Sequence, residues 1–149
     1  MPTIKIAGLS CIKGTPHGEG HGNSAPYFLV ADVVKAAEHY RDRLGFKIIG
    51  YFFEDPPVFG MVERDDKIIM LSLTEGSRGG SNRNHKNVGV DAYLWTDDAD
   101  RLYAELQAKG ADIVMPPTIR IYGMRELEVR DLDGYVLCFG QDVPNHPAE

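Results

Sequence analysis

An α+β fold, built from one strand–helix–three-strand unit used twice, is what three features of this sequence predict. A helix frame recurs at a fixed offset. Asp32 to Gly45 spans 13 positions and Asp97 to Gly110 spans 13, a shift of 65 at both ends (97 − 32 and 110 − 45). The same shift superposes Leu29 on Leu94, Ile48 on Ile113 and Ile49 on Val114. Finally, YGMRELEVRDLDGYVLCFG, from Tyr122 to Gly140, reads as two strands about a tight turn, because apolar and polar residues alternate on either side of Asp131-Leu132-Asp133-Gly134. A single unit of this kind leaves one sheet face bare, so two units are the smallest domain that buries it.

Each element has a local cause. Thr3 to Ile12 has strand character, and Lys13 to Ser24 is rich in Gly, His and Ser and reads as loop. Within that loop His17, Glu19 and His21 alternate with glycines. A glycine-rich chelate must be ordered at its own cost, so an arm or a dimer-contacting strand is the simpler reading. Ala25 to Ala31 is a strand. Asp32 then offers an N-cap oxygen, and Val33, Ala36, Ala37, Tyr40 and Leu44 form one helical stripe that Gly45 ends. Strands follow at Phe46 to Phe53, Val58 to Glu63 and Ile68 to Leu73. The polar stretch from Thr74 to Asn87 has no periodicity and reads as a solvated connector, with a ligand-closing loop as the alternative. Val88 to Thr96 is a strand, Asp97 or Asp98 caps a helix to about Lys109, and Gly110 stops it. Ala111 to Met115 is a strand that Pro116-Pro117 breaks before the closing hairpin.

Bulk properties exclude several classes. The 149 residues fit one domain, and 43% hydrophobic with 26% charged residues is the balance of a globular protein. A net charge of −6 argues against a nucleic-acid backbone as partner. No apolar run approaches membrane-spanning length, and the first residues lack the pattern of a secretory signal, so the expected compartment is the cytoplasm. Two cysteines, Cys11 and Cys138, make no disulfide framework.

Val30-x-Asp32, His39-Tyr40-Arg41-x-x-Leu44-Gly45-Phe46, Tyr122-Gly-Met-Arg-Glu126 and Arg130-Asp131-Leu132-Asp133-Gly134 together resemble the vicinal oxygen chelate superfamily. That group includes glyoxalases, bleomycin-resistance proteins, fosfomycin-modifying enzymes and extradiol dioxygenases. The resemblance covers about residues 25–141. It implies two βαβββ modules, 25–75 and 88–141 with connector 76–87, forming a curved mixed-sheet cup with helices outside. Residues 1–24 become an N-terminal arm and 142–149 a tail.

The resemblance also implies where a metal would be held: at Ala25, near Met70, at Asp91 and at Cys138. Alanine has no donor atom, a thioether is soft, and two remaining donors do not make a site, so the expectation is no metal and no cofactor. Cys138 has no readable histidine partner and is expected to be a small buried residue rather than a nucleophile. Arg125 and Glu126 are expected to alternate across the sheet, with surface ion pairing.

Strand alternation puts Tyr27, Met70, Asp91, Tyr93, Trp95 and Cys138 on the ligand-facing side, and Tyr122 completes the expected ligand-binding set. Aromatic faces stack on planar or cationic compounds, and Asp91 would add charge; the same rings would otherwise bury against a second subunit. The functional expectation is a homodimeric, metal-free small-molecule binding protein of the bleomycin-resistance kind, sequestering a drug or aromatic metabolite. A divalent-metal glyoxalase-like lyase, isomerase or dioxygenase is the alternative.

Overall fold

The computed structural model describes residues 24–76 and 80–144. The expected arm, with Cys11 and the His17–Glu19–His21 loop, lies outside the described residues, as do residues 77–79 and 145–149. The element order is β1 (Tyr27–Val30), α1 (Val33–Leu44), β2 (Lys47–Phe52), β3 (Phe59–Arg64), β4 (Lys67–Leu73), a short 3-10 turn (Asn82–Asn84), β5 (Ala92–Trp95), α2 (Ala99–Ala108), β6 (Asp112–Ile119), β7 (Met124–Arg130) and β8 (Val136–Asp142).

Both helices start and stop where their side chains dictate. Asp32 is extended and its carboxylate accepts from the Lys35 N–H at 2.9 Å. Asp98, rather than Asp97, plays the same part for α2, accepting from the Arg101 N–H at 2.9 Å. Gly45 closes α1 with φ of 72° and Gly110 follows α2 with φ of 73°, a left-handed turn that costs a residue with a Cβ.

The eight strands divide into two four-stranded mixed sheets, ordered β1-β4-β3-β2 and β5-β8-β7-β6. In each, the first strand lies parallel to the last and the remaining neighbours are antiparallel. Pro116-Pro117 does not break β6, contrary to the sequence expectation. That strand runs on to Ile119 with register shifts either side of Met115. It is an edge strand, where missing N–H groups leave no ladder bond empty and a bulge absorbs the mismatch. Tyr122 sits in the β6–β7 turn rather than at the start of β7; the Arg120 N–H donates to Met124 O, and the Gly123 N–H to Arg120 O.

One hydrophobic core serves both modules. Phe28, Val30, Val62, Ile69 and Leu71 from the first sheet and Leu94, Leu127, Val129, Leu137 and Phe139 from the second join Tyr40, Leu44, Leu102 and Leu106 from the helices. Each such side chain contributes about 1.5–3 kcal/mol by leaving water. Polar contacts fix how the modules dock. The Tyr40 hydroxyl donates to buried Asp131 at 2.7 Å, the Tyr135 hydroxyl to Leu29 O at 2.8 Å, and the Ala31 N–H to Asp133 at 2.9 Å. The Phe28 and Tyr135 rings stack at 4.3 Å. Arg64 forms a two-point ion pair with Glu105 at 2.9 and 2.6 Å.

Burial pushes the Asp131 carboxyl up to about 6, against the pull of hydrogen bonds from Tyr40 and Tyr135. A carboxyl raised in the fold favours the folded state when protonated. Its contribution is therefore complete near pH 4 and is lost as pH rises through 6. The unfolding free energy of the wild type minus that of Asp131→Asn should fall by about 2–3 kcal/mol between pH 4 and 7. Urea titrations across that range check it, and a difference that stays flat or rises contradicts it.

Candidate functional site

Each sheet turns one face into the shared core and leaves the other out of it. On the second sheet the outer face carries Tyr93 from β5, Glu126 and Glu128 from β7, and Cys138 from β8. Register brings them together: Tyr93 lies beside Cys138, Glu128 opposite Cys138, and Glu126 opposite Gly140. These residues, with Arg83, Val88, Val90, Val114, Met115, Arg120 and Tyr122, line a cavity of about 330 Å³.

Two carboxylates dominate this cavity, and both are buried. Glu126 accepts from the Tyr93 hydroxyl at 2.8 Å and from the Tyr122 hydroxyl at 2.8 Å, with Arg120 Nε 3.6 Å away. Glu128 is paired with Arg83, which the connector delivers. The Arg83 Nε–H also donates to Gly89 O at 2.7 Å, holding the guanidinium in place. A buried carboxylate without such partners would be strongly destabilising, so these contacts are what permit acid groups here.

The electrostatic consequences are consistent. Burial and the bond to Glu126 push the Tyr93 phenol well above its ordinary range, and Tyr122 is raised for the same two reasons. Burial, then the charges of Glu126 and Glu128, push the Cys138 thiol up to about 12. A thiol raised this far carries little of the thiolate that nucleophilic attack requires.

Gly140 has a particular part. A Cβ there would collide with the Tyr93 hydroxyl, so the missing side chain is what lets that ring cross β8 to reach Glu126.

The expected ligand residues separate into three groups. Tyr93, Tyr122 and Cys138 share the cavity just described. Asp91, Tyr93 and Trp95 line a second cavity of about 380 Å³ with Pro26, Lys67 and Ile68. Tyr27 and Met70 are paired across β1 and β4 on the outer face of the first sheet. Around them Phe52, Phe53 and Phe59 form an aromatic cluster with ring centroids 5.8–6.2 Å apart, and Tyr27 stands 6.0 Å from Phe59. Phe53 in this cluster has φ of 83°, a costly conformation for an aromatic residue.

Asp91 is not a free acid. It accepts from the Ser81 hydroxyl at 2.5 Å, the Asn82 N–H at 2.7 Å and the Val136 N–H at 2.7 Å, which staples the connector to β8. The carboxylates that do face the cavity are Glu126 and Glu128. Their alternation with Leu127 and Val129 was the available signal. Arg125 pairs at the surface with Asp100 as expected, but Glu126 is buried rather than surface-paired. Arg83 carried no sequence signal, because only the fold of the connector brings it to β7.

At the four positions that the sequence resemblance implies for a metal, the donor chemistry does not fit one. Ala25 offers nothing, Met70 a soft thioether, and Asp91 a carboxylate committed to three protein donors, which leaves the Cys138 sulfur as one uncommitted donor where a site needs at least three. Among the described residues no group of three His, Cys, Asp or Glu side chains is placed to hold an ion.

The sequence profile of the Glyoxalase/Bleomycin resistance protein/Dioxygenase superfamily matches residues 20–139. The chain belongs to this superfamily. Solved structures agree on the fold. TioX from Micromonospora sp. ML1 is similar at 21% identity and a TM-score of 0.65, covering 83% of this chain and 100% of TioX. A glyoxalase-related enzyme from Clostridium phytofermentans is similar at 18% identity and a TM-score of 0.66, covering 85% and 98%. A bleomycin-binding protein, solved in complex with bleomycin, is similar at 20% identity and a TM-score of 0.62, covering 82% and 99%. No curated sequence matches the chain. Within this superfamily member, none of the helices described is long and apolar enough to cross a membrane.

Gly140→Ala should destabilise the protein by about 1–3 kcal/mol through overpacking against Tyr93. The penalty should shrink in part in a Tyr93→Phe background, where the hydroxyl is gone and only the ring edge still stands in the way. A double-mutant cycle by urea unfolding checks this; strictly additive effects would contradict it.

Proposed function

We propose that this chain is a small-molecule binding protein that holds a drug or aromatic metabolite without a metal, in a cleft completed by a second copy of itself. The observation that carries the reading is the cavity around Glu126, Glu128, Tyr93, Tyr122 and Cys138. It is concave, of ligand size and mixed in polarity, and its carboxylates are oriented by phenols and an arginine. Its thiol is protonated and its phenols are raised, so it offers recognition without an activated nucleophile.

The outer faces support the dimeric part. Tyr27, Leu29 and Phe53 on the first sheet and Trp95, 65% exposed, on the second are large apolar groups in water. In a symmetric pair, the aromatic face of one copy opposes the polar cavity of the other. A planar ligand would then stack on rings from one chain and hydrogen-bond to groups from its partner. The similarity to a bleomycin-binding protein supports a drug as the ligand class.

Protein purified without chelators should contain less than stoichiometric Ni, Zn, Fe or Mn by elemental analysis. It should also gain thermal stability from at least one compound in a panel of aromatic antibiotics and metabolites, since a native-state ligand raises apparent stability. One metal ion per chain, with no stabilisation by any metal-free ligand, would overturn the reading in favour of a metal-dependent lyase, isomerase or dioxygenase.

A further inference from the structure

Glu126 and Glu128 differ in how their charge is met. Arg83 is a fixed partner: its guanidinium reaches Glu128 while its Nε–H is held by Gly89 O at 2.7 Å, and its backbone N–H donates to the Ser81 hydroxyl at 3.1 Å. Arg120 is a loose one. It stands on the β6–β7 turn with its side chain 39% exposed, and its Nε is 3.6 Å from Glu126, beyond a normal hydrogen bond. Its other near contacts are the Tyr122 hydroxyl and, at 3.9 Å, the Met115 sulfur. Glu126, 4% exposed, thus receives two neutral phenolic hydrogen bonds and no cation at hydrogen-bond distance. Burying a carboxylate this deeply favours a close positive partner, and the present one is held off.

We propose that the Glu126 carboxylate, framed by Tyr93 and Tyr122, is the anchor for one cationic nitrogen of the ligand, and that Arg120 stands in for that nitrogen until the ligand displaces it. The ligand class is then an ammonium or amidinium group on an apolar or aromatic body. The charged end meets Glu126, and the body lies along Met115, Val114 and Val90, which line the same cavity. This rests on the binding reading above and names the chemistry of its site. Arg120 acts as an internal competitor. Apparent affinity is the intrinsic affinity multiplied by the fraction of molecules in which Glu126 is left uncovered, so a tenfold effect corresponds to Arg120 covering it about nine times in ten.

Benzamidinium is a suitable probe, with neutral benzamide and anionic benzoate as shape-matched controls. Titration by calorimetry should show benzamidinium binding to the wild type and tighter binding, by roughly tenfold, to Arg120→Ala. Glu126→Gln, which keeps the shape and can keep the phenol contacts, should lose benzamidinium while retaining a cooperative thermal transition. Benzamide and benzoate should bind none of the three. Weaker benzamidinium binding in Arg120→Ala would overturn the proposal, as would benzoate binding that Arg120→Ala abolishes, since Arg120 would then be an anion's partner. Benzamidinium binding to neither wild type nor Arg120→Ala also overturns it. In that case stabilisation by other panel compounds shows that only this proposal has failed; its absence, with stoichiometric metal, shows that the broader reading has failed too.

Discussion

The two modules share a core rather than a sheet, and which faces that core uses decides everything about the site. Phe28, Val30 and Leu71 from one sheet and Leu127, Leu137 and Phe139 from the other point into it, with both helices. Strand geometry then forces their alternate neighbours outward. The Tyr40–Asp131 bond and the Tyr135 contact to Leu29 O hold the modules in this relation. A turn that would otherwise only reverse β7 into β8 thereby becomes the dock for the first module. Through this docking the outer faces acquire different characters, aromatic on the first sheet and acid–phenol on the second.

On the second sheet the same alternation makes chemistry out of burial. Leu127 and Val129 must face the core, so Glu126 and Glu128 must face the cavity. Carboxylates at those depths require partners. They find them in Tyr93, Tyr122 and Arg83, groups supplied by a strand, a turn and the connector. The absence of a side chain at Gly140 is the geometric condition for the Tyr93 contact. The result is a preorganised polar wall in which Glu128 has a close cation and Glu126 is held by two phenols.

Much of the fold was legible because its signals are local. The Asp32 cap, the Gly45 stop and the 65-residue offset place both helices within a residue or two of where they lie. Proline misled at β6, because its cost depends on whether a strand is an edge, a fact of topology that no local window contains. The site was legible in part. Alternation correctly put Tyr93 and Cys138 on one face, and the cavity they share also takes in Tyr122. It also put Asp91 there, but could not foresee that Ser81 and two backbone N–H groups would claim its carboxylate. Glu126 and Glu128 are visible in the alternation with Leu127 and Val129, but their burial is not, and so the expected surface pairing of Glu126 does not occur. Arg83 depends on how a non-periodic connector folds, and long-range placement of that kind leaves no trace in spacing.

The central claim is that one binding cleft takes its aromatic face from one chain and its acid–phenol face from another. Mixed dimers test it most directly. Tyr27→Ala damages only the first-sheet face and Glu126→Gln only the second, so neither variant alone would form an intact cleft. Mixing the two under subunit exchange should restore ligand binding, with one intact site per mixed dimer, because one cleft then receives two undamaged faces. If each cleft instead lay within a single chain, mixing would restore nothing, and that result would contradict the account.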